Sequence, residues 1–356
     1  MRALLAAISC AMATALNPGV VLGLNGALQR RVAFDAPLAV GAVNRASESN
    51  TGVGGKGQGA FLAAKASGAA ASLAMFYGGD TGDAMAAAIR AQCDSDEALW
   101  VATASATRVC TTLVSPGGDA TEVVEPSGAV AASELDDLTS RLAARAPAAG
   151  VLVSGSVPPG VPGDSYYGSC VAAVAGAATK VLVDSVVGLE GTLDAARDAG
   201  CAVALKLNAR ELLALAGDPL AAGAADAVAD PERAARAARK LAASLDPDRA
   251  CLHFVLWTDG PHPAGAFEPA SGATFSLTSP PLPGPVLSPI GAGDTVAGAT
   301  FAAWLGNEAD GDVPAAVAAF AFGLSRGAAS CLTRENAAFD AATAEALLAG
   351  TEVTRA

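Results

Sequence analysis

The stretch Ser288-Pro-Ile-Gly291-Ala292-Gly293-Asp294-Thr-Val-Ala-Gly298 sets a proline, two glycines and an acid at the start of a helical run. Backbone N–H groups at a helix start lack intrahelical partners and carry partial positive charge, so a glycine-lined start lets an anion approach closely. Aspartate at such a position also caps a helix, and the residue type alone does not separate the two roles. A second loop, Gly52-Val-Gly54-Gly55-Lys56-Gly57-Gln-Gly59, places a lysine among glycines. It satisfies G-x-G-x-x-G, but the preceding Arg45–Thr51 is polar where a dinucleotide fold needs a buried strand. Nor does it form a P-loop, because Gly57 follows Gly55-Lys56 where Ser or Thr is required. What remains is a point charge in a backbone nest, suited to an anion.

Three further signals each follow an apolar run: Gly155-Ser-Val-Pro-Pro-Gly160, Lys206-Leu-Asn208-Ala-Arg-Glu211-Leu212 and Thr258-Asp-Gly260. Polar or flexible residues at a strand's carboxyl end are where open α/β sheets bind ligands, although each could equally be a turn or a cap. The elements that would carry them alternate. Apolar runs at Gly19–Asn25, Gly150–Ser154, Val181–Asp184, Ala202–Leu205 and Phe254–Thr258 read as buried strands. Helical stretches fall at Ala60–Ala66, Gly82–Ala91, Tyr166–Ala177, Glu190–Asp198, Glu211–Ala216, Pro231–Ser244, Thr295–Leu305 and Val313–Leu332. This alternation predicts a mostly parallel sheet covered by helices. Arg30–Arg45 and Arg108–Glu125 interrupt it as β-prone segments, the second with a turn signal at Pro116-Gly-Gly-Asp119. They are expected to pair as a small side sheet, whose edges are compatible with a homodimer. Ala221–Ala229 reads as a surface loop.

Composition narrows the function classes. In 356 residues, 52% are hydrophobic and 16% charged, which describes a core-rich globular chain. Acidic residues outnumber basic ones by 35 to 22 and no basic patch forms, which argues against nucleic-acid binding. Any phosphate site must therefore be built locally from Lys, Arg and backbone N–H groups. The seven cysteines include no CxxC pair and there are two histidines, so neither a disulfide framework nor a zinc site is expected. Met1–Ala15, with its Ala-x-Ala patterns, has the outline of a cleavable targeting peptide or of an inert alanine-rich tail. A cytoplasmic or organellar location follows, and no segment reads as a membrane span.

Taken in order, the motifs resemble a known family. Asn44-Arg-Ala, Gly-Gly-Lys-Gly, Gly78-Gly-Asp-Thr-Gly82-Asp83, Thr107-Arg108, Thr121-Glu-Val-Val-Glu-Pro126, Ser-Val-Pro-Pro-Gly160, Lys-x-Asn-x-x-Glu-Leu and Gly-Ala-Gly-Asp follow the series found in ribokinase/PfkB-type carbohydrate kinases. The likeness is greatest to the 1-phosphofructokinase and tagatose-6-phosphate kinase branch, and it extends over roughly Gly19–Ser330. It implies a ribokinase-like three-layer α/β/α domain with a mostly parallel central sheet and a small β-sheet lid. The domain would occupy 18–350 after a leader of 1–17, with the lid drawn from about 29–50 and 106–127. The implied reaction is phosphoryl transfer from ATP, with Mg²⁺, to a hydroxyl of a sugar or sugar phosphate. Asp294 would be the general base, and Gly291, Ala292 and Gly293 the anion hole. Lys206, Asn208, Glu211, Thr258 and Gly260 would serve the nucleotide, with Glu211 acting on the metal through water rather than as a direct ligand. Gln29, Gly54, Gly55, Lys56 and Arg108 would face the acceptor.

Three positions depart from the family pattern on the acceptor side. Gln29 stands where the family carries an aspartate, Gly59 where Gly-Gly-Lys-Gly-x-Asn ends in asparagine, and Cys110 where an asparagine often follows Thr-Arg. Each lost partner for a buried hydroxyl costs about 1–3 kcal/mol. The phosphoryl-transfer motifs are intact, so the expected activity is a kinase whose acceptor differs from the branch's usual ones, a phosphorylated ketose being the default. The alternatives are a kinase of a non-phosphorylated sugar and a catalytically silent scaffold or regulatory protein.

Overall fold

The computed structural model describes residues 18–116, 120–220, 228–306 and 313–355. Residues 1–17, the glycines of the Pro116–Asp119 turn and most of the Ala221–Ala229 stretch lie outside the described residues. The chain opens with β1 (Gly19–Leu22), β2 (Ala27–Ala33), β3 (Glu48–Gly54), α1 (Lys56–Ala66), β4 (Ala71–Tyr77), α2 (Gly79–Gln92) and β5 (Trp100–Ala102). It continues through β6 (Val109–Val114), β7 (Ala120–Val124), α3 (Ala132–Ala143), β8 (Gly150–Ser154), α4 (Tyr166–Val174), β9 (Lys180–Asp184) and α5 (Leu189–Asp198). Then come β10 (Ala202–Asn208), α6 (Ala209–Leu215), α7 (Pro231–Leu245), β11 (Leu252–Asp259), β12 (His262–Phe267) and β13 (Thr274–Thr278). The last elements are α8 (Ala292–Gly306), α9 (Ala315–Ser330), α10 (Ala341–Ala349) and β14 (Glu352–Arg355).

Ten strands form the main sheet in the order β14-β13-β12-β11-β10-β9-β8-β1-β4-β5. From β5 across to β11 neighbouring strands are parallel, and β11 to β14 are antiparallel. Side chains on a strand alternate between faces, so a sheet covered on both sides must be apolar at every position. Here the alternation divides the core in two. Val20, Leu22, Val151, Val153, Val181, Val183, Val203 and Leu205 pack with α3, α4, α5, α6 and α7. Val21, Leu152, Leu182, Ala204 and Leu256 pack with α1, α2, α8, α9 and α10. The expected three-layer α/β/α architecture is the one observed.

A second sheet has the order β3-β2-β6-β7, with β2 and β6 parallel and paired from Leu28–Val109 to Ala33–Val114. The two β-prone segments therefore meet, as their composition predicts. Their boundaries differ from the expected ones. Strand β2 ends at Ala33, and the next strand is the polar Glu48–Gly54, which the sequence reading left out of the strands. An edge strand with its first residues open to water needs no apolar run, so the signature of a buried strand is absent there. Also unpredicted are β4, β5, the antiparallel β12–β14 edge, α3 and α10. Helix α4 ends at Val174, three residues before the expected Ala177.

Candidate active site

Strand β1 lies between β8 and β4: the chain adds β4 and β5 on one side of it and then turns back to add β8, β9, β10 and β11 on the other. That reversal of direction opens a crevice at the carboxyl ends of the strands. Two helices start beside it. The first, α1, starts at Lys56 behind Gly55, whose φ of 97° belongs to the left-handed region that favours glycine. The second, α8, starts at Ala292, so Asp294 falls in its first turn. The two helices touch through Gly298, where an added Cβ would stand 2.0 Å from the carbonyl oxygen of Ala60. This contact brings Asp294 against Gly59: a Cβ on Gly59 would lie 3.3 Å from both the Cβ and Oδ2 of Asp294.

A network of charged groups surrounds Asp294. Burial pushes its carboxyl up to about 7, and the negative charge of Asp184 adds to the rise. Lys56 and Lys206 oppose it, and Glu122 on β7 pushes it further upward. Lys56 in turn is held well above its ordinary range, chiefly by Asp184 and then by Glu211 and Asp294. Its Nζ lies 3.5 Å from Glu211 Oε1. Asp184 is buried at the end of β9: Oδ1 accepts from Lys206 Nζ at 3.2 Å, and Oδ2 has no hydrogen-bond partner. Lys206 Nζ also donates to the carbonyl of Gly293 at 2.9 Å.

Asn208 and Glu211 cap α6 reciprocally. Asn208 Oδ1 accepts from the Glu211 N–H at 2.8 Å, and Glu211 Oε2 accepts from the Asn208 N–H at 3.0 Å. The second carboxylate oxygen of Glu211 is thereby turned towards Lys56. Both residues therefore cap the helix, and Glu211 also lines the smaller of the two cavities beside it.

Two cavities adjoin this network. One of about 280 Å³ is lined by Lys56, Arg108, Ser154, Ser156, Ser185 and Glu211, among others. Arg108 Nη2 donates to the carbonyl of Asn25 at 3.3 Å, while its buried Nε makes no hydrogen bond. The other cavity, about 500 Å³, lies between the small sheet and the loops before α8 and after α9, with Gln29, Arg31, Thr112, Ser288 and Arg334 in its wall. Gln29 Nε2 donates to Thr112 Oγ1 at 2.8 Å, and Thr112 donates to Glu122 Oε1 at 3.2 Å. This chain of polar groups runs across one face of the small sheet.

The structure thus gathers Gly54, Gly55, Lys56, Lys206, Asn208, Glu211 and the Gly291–Asp294 turn around one crevice, with Arg108 in the smaller cavity. Thr258, at the end of β11, pairs with Asn208 in the register of β10 and β11, and Gly260 stands in the turn into β12; like Asn208 and Lys206, neither lines the two cavities. Gly260 has a φ of 57° and open space beside it. Sequence reasoning missed Asp184, Ser185, Ser154, Asn25 and Glu122. Asp184 had a visible signal, a charged residue closing the apolar run Val-Leu-Val.

Residues 26–335 match the family model described as pfkB family carbohydrate kinase. No curated protein sequence matches. Among solved structures, phosphofructokinase-2 of Escherichia coli in complex with substrates and products superposes with a TM-score of 0.74 at 21% identity, covering 94% of this chain and 99% of that one. A candidate 1-phosphofructokinase of Thermotoga maritima gives 0.68 at 17%, covering 96% and 100%. Ribokinase of Arabidopsis thaliana, complexed with ribose and ATP, gives 0.68 at 17%, covering 93% and 98%. At these identities the likeness is one of fold.

Proposed function

The chain belongs to the pfkB family of carbohydrate kinases, and on that footing we propose that it transfers the γ-phosphoryl group of ATP to a hydroxyl of a phosphorylated ketose. The observation that carries this reading is Asp294: a carboxyl raised to about 7 in the first turn of α8, opposed by two lysines. A general base works best when its pKa lies near the working pH. Asp294 takes the acceptor's proton as its oxygen attacks. The N–H groups of the Gly291–Gly293 turn receive the charge that spreads over the transferred group.

Lys56 would serve as a cation towards the phosphates, since its side chain is half-open to water and its contact with Glu211 is long. The acceptor's phosphate fits the cavity of about 280 Å³, where the free Nε of Arg108 and the buried Ser154 hydroxyl both lack partners. Gln29, Gly54 and Gly55 would meet the sugar ring, and Thr258 and Gly260 the nucleoside end of ATP. Magnesium, when bound, would neutralise charge on the donor phosphates. Asn208 and Glu211 suit a hydrated ion, because magnesium keeps several waters and few protein ligands. Glu211 Oε1, 3.5 Å from Lys56, would be the oxygen to hold such a water. We assign residues 18–350 to one kinase domain, with 29–50 and 106–127 closing over the acceptor as a lid and offering edges for a homodimer.

A coupled ADP-release screen with Mg·ATP, run on sugars and on their phosphates in parallel, tests the reading. Turnover confined to phosphorylated ketoses supports it. Preference for a non-phosphorylated sugar overturns the acceptor assignment, and the absence of turnover on every acceptor points instead to a silent scaffold.

A further inference from the structure

Lys206 was expected among the nucleotide's ligands, but its surroundings say otherwise. It is 3% exposed and lines neither cavity. Leu205 and Leu207 face the α3–α7 layer, so the residue between them faces the layer that contains α8. On the adjacent strand, Asp184 follows Val183 and takes the same face. The register pairs Leu205 with Val183, and the next residues on each strand are Lys206 and Asp184. Their ion pair is therefore set by the sheet itself.

We propose that Lys206 is a positioning residue, clamped by Asp184, which fixes and polarises the Gly293–Asp294 peptide on which phosphoryl transfer depends. The inference rests on the kinase reading of this site and adds a role to it. A carbonyl and the N–H of the following residue belong to one planar peptide group. The ammonium at 2.9 Å from the Gly293 oxygen thus acts on the N–H of Asp294, one of the unpartnered donors at the start of α8. Hydrogen bonds in series polarise one another, so a charged donor on the oxygen makes that N–H a stronger donor in turn. The same contact stops the peptide plane from rotating, which keeps the turn preorganised for charge that develops only in the transition state.

The pair has a second effect on the base. Asp184 and Glu122 raise the pKa of Asp294, whereas Lys56 and Lys206 lower it. Losing the Lys206 cation would move Asp294 further up and leave less of it ionised at neutral pH.

The test uses the full chain in two variants. Lys206→Met removes the ammonium but leaves Asp184 buried and unpaired, which risks misfolding. Asp184→Asn/Lys206→Met removes both charges together and guards against that. In folded variants, kcat should fall at least about tenfold, given that a single lost oxyanion donor costs about 10²–10³. Acceptor KM and Mg·ADP affinity should stay within about threefold of the parent, and in Lys206→Met the acid limb of the pH profile should move to higher pH. Mg·ADP with aluminium fluoride, a mimic of the transferring group, should bind the variants more weakly than the parent even where Mg·ADP alone binds equally. A parent-like kcat overturns the proposal. So does a loss of Mg·ADP affinity beyond about tenfold, which would mean that Lys206 contacts the nucleotide directly. If the parent turns over no acceptor, the kinase reading falls, and the aluminium fluoride comparison then decides the positioning role alone: equal binding by parent and variants overturns it.

Discussion

Replacing Asp294 with asparagine removes one negative charge from a crevice that already holds Asp184 and Glu211 against Lys56 and Lys206. The folded protein holds this carboxyl at about 7 where an unperturbed one titrates at 3.8. A raised carboxylate pKa means that the folded state binds the proton more tightly than the unfolded chain. Ionising Asp294 therefore destabilises the fold: the penalty is absent below 3.8, grows as pH rises and is complete above about 7. At about 1.4 kcal/mol per tenfold change, this interval corresponds to an upper bound of about 4 kcal/mol. Partial solvent access reduces it, the effect of the neighbouring lysines being already contained in the value of about 7, so a gain of about 1–3 kcal/mol is expected for Asp294→Asn at pH 8. Asparagine caps helices as well as aspartate does, so the cap is kept. The gain should shrink as pH falls from 7 towards 4. Turnover of Asp294→Asn should lie about 10²–10⁴ below the parent's at pH 8, the usual contribution of a general base, and the difference should narrow as pH falls below 7 and the parent's carboxyl protonates. Denaturant unfolding at pH 5 and pH 8, paired with coupled ADP release, measures both. Parent-like turnover in a folded variant refutes the catalytic role, and a variant less stable than the parent at pH 8 refutes the charge accounting.

Glu211→Gln should raise the Mg²⁺ concentration needed for half-maximal turnover several-fold while leaving acceptor KM nearly unchanged; an unaltered Mg²⁺ titration would reduce Glu211 to a helix cap. Glu122→Gln removes a charge that pushes Asp294 upward, so the acid limb of the pH profile should shift to lower pH, and a shift in the other direction would contradict the geometry. Gly298→Ala sets a methyl 2.0 Å from the Ala60 carbonyl oxygen, which should separate α1 from α8. The expected cost is about 1–3 kcal/mol of stability, as for overpacking elsewhere, with a fall in kcat. Melting and turnover equal to the parent's would show that the two helices tolerate the separation.

Periodicity and glycine chemistry made the parallel core and the α8 start readable, because a strand buried on both faces and a helix opening with Gly-Ala-Gly-Asp each leave a local signature. Strand β3 left none, since its polar residues face water on an edge. The antiparallel β12–β14 edge was hidden for another reason: its strands lie beyond the alternating strand–helix rhythm. In the candidate site, residue types singled out Asp294, Lys56 and the Asn208–Glu211 pair. Which face each side chain takes was not legible, because it depends on strand register. That is why the pairing of Lys206 with Asp184 was not foreseen.

Burial of the Asp184–Lys206 pair also separates two ranges of electrostatics. The chain carries a formal charge of −13, and that field reaches far enough to repel anions such as ATP or a sugar phosphate as they diffuse inwards. Mobile ions screen it over about 8 Å at physiological salt. The pair, 3% and 1% exposed, lies where those ions do not reach. Ionic strength therefore acts on the approach of anions, which added salt should quicken, and leaves the attraction within the buried pair nearly unchanged.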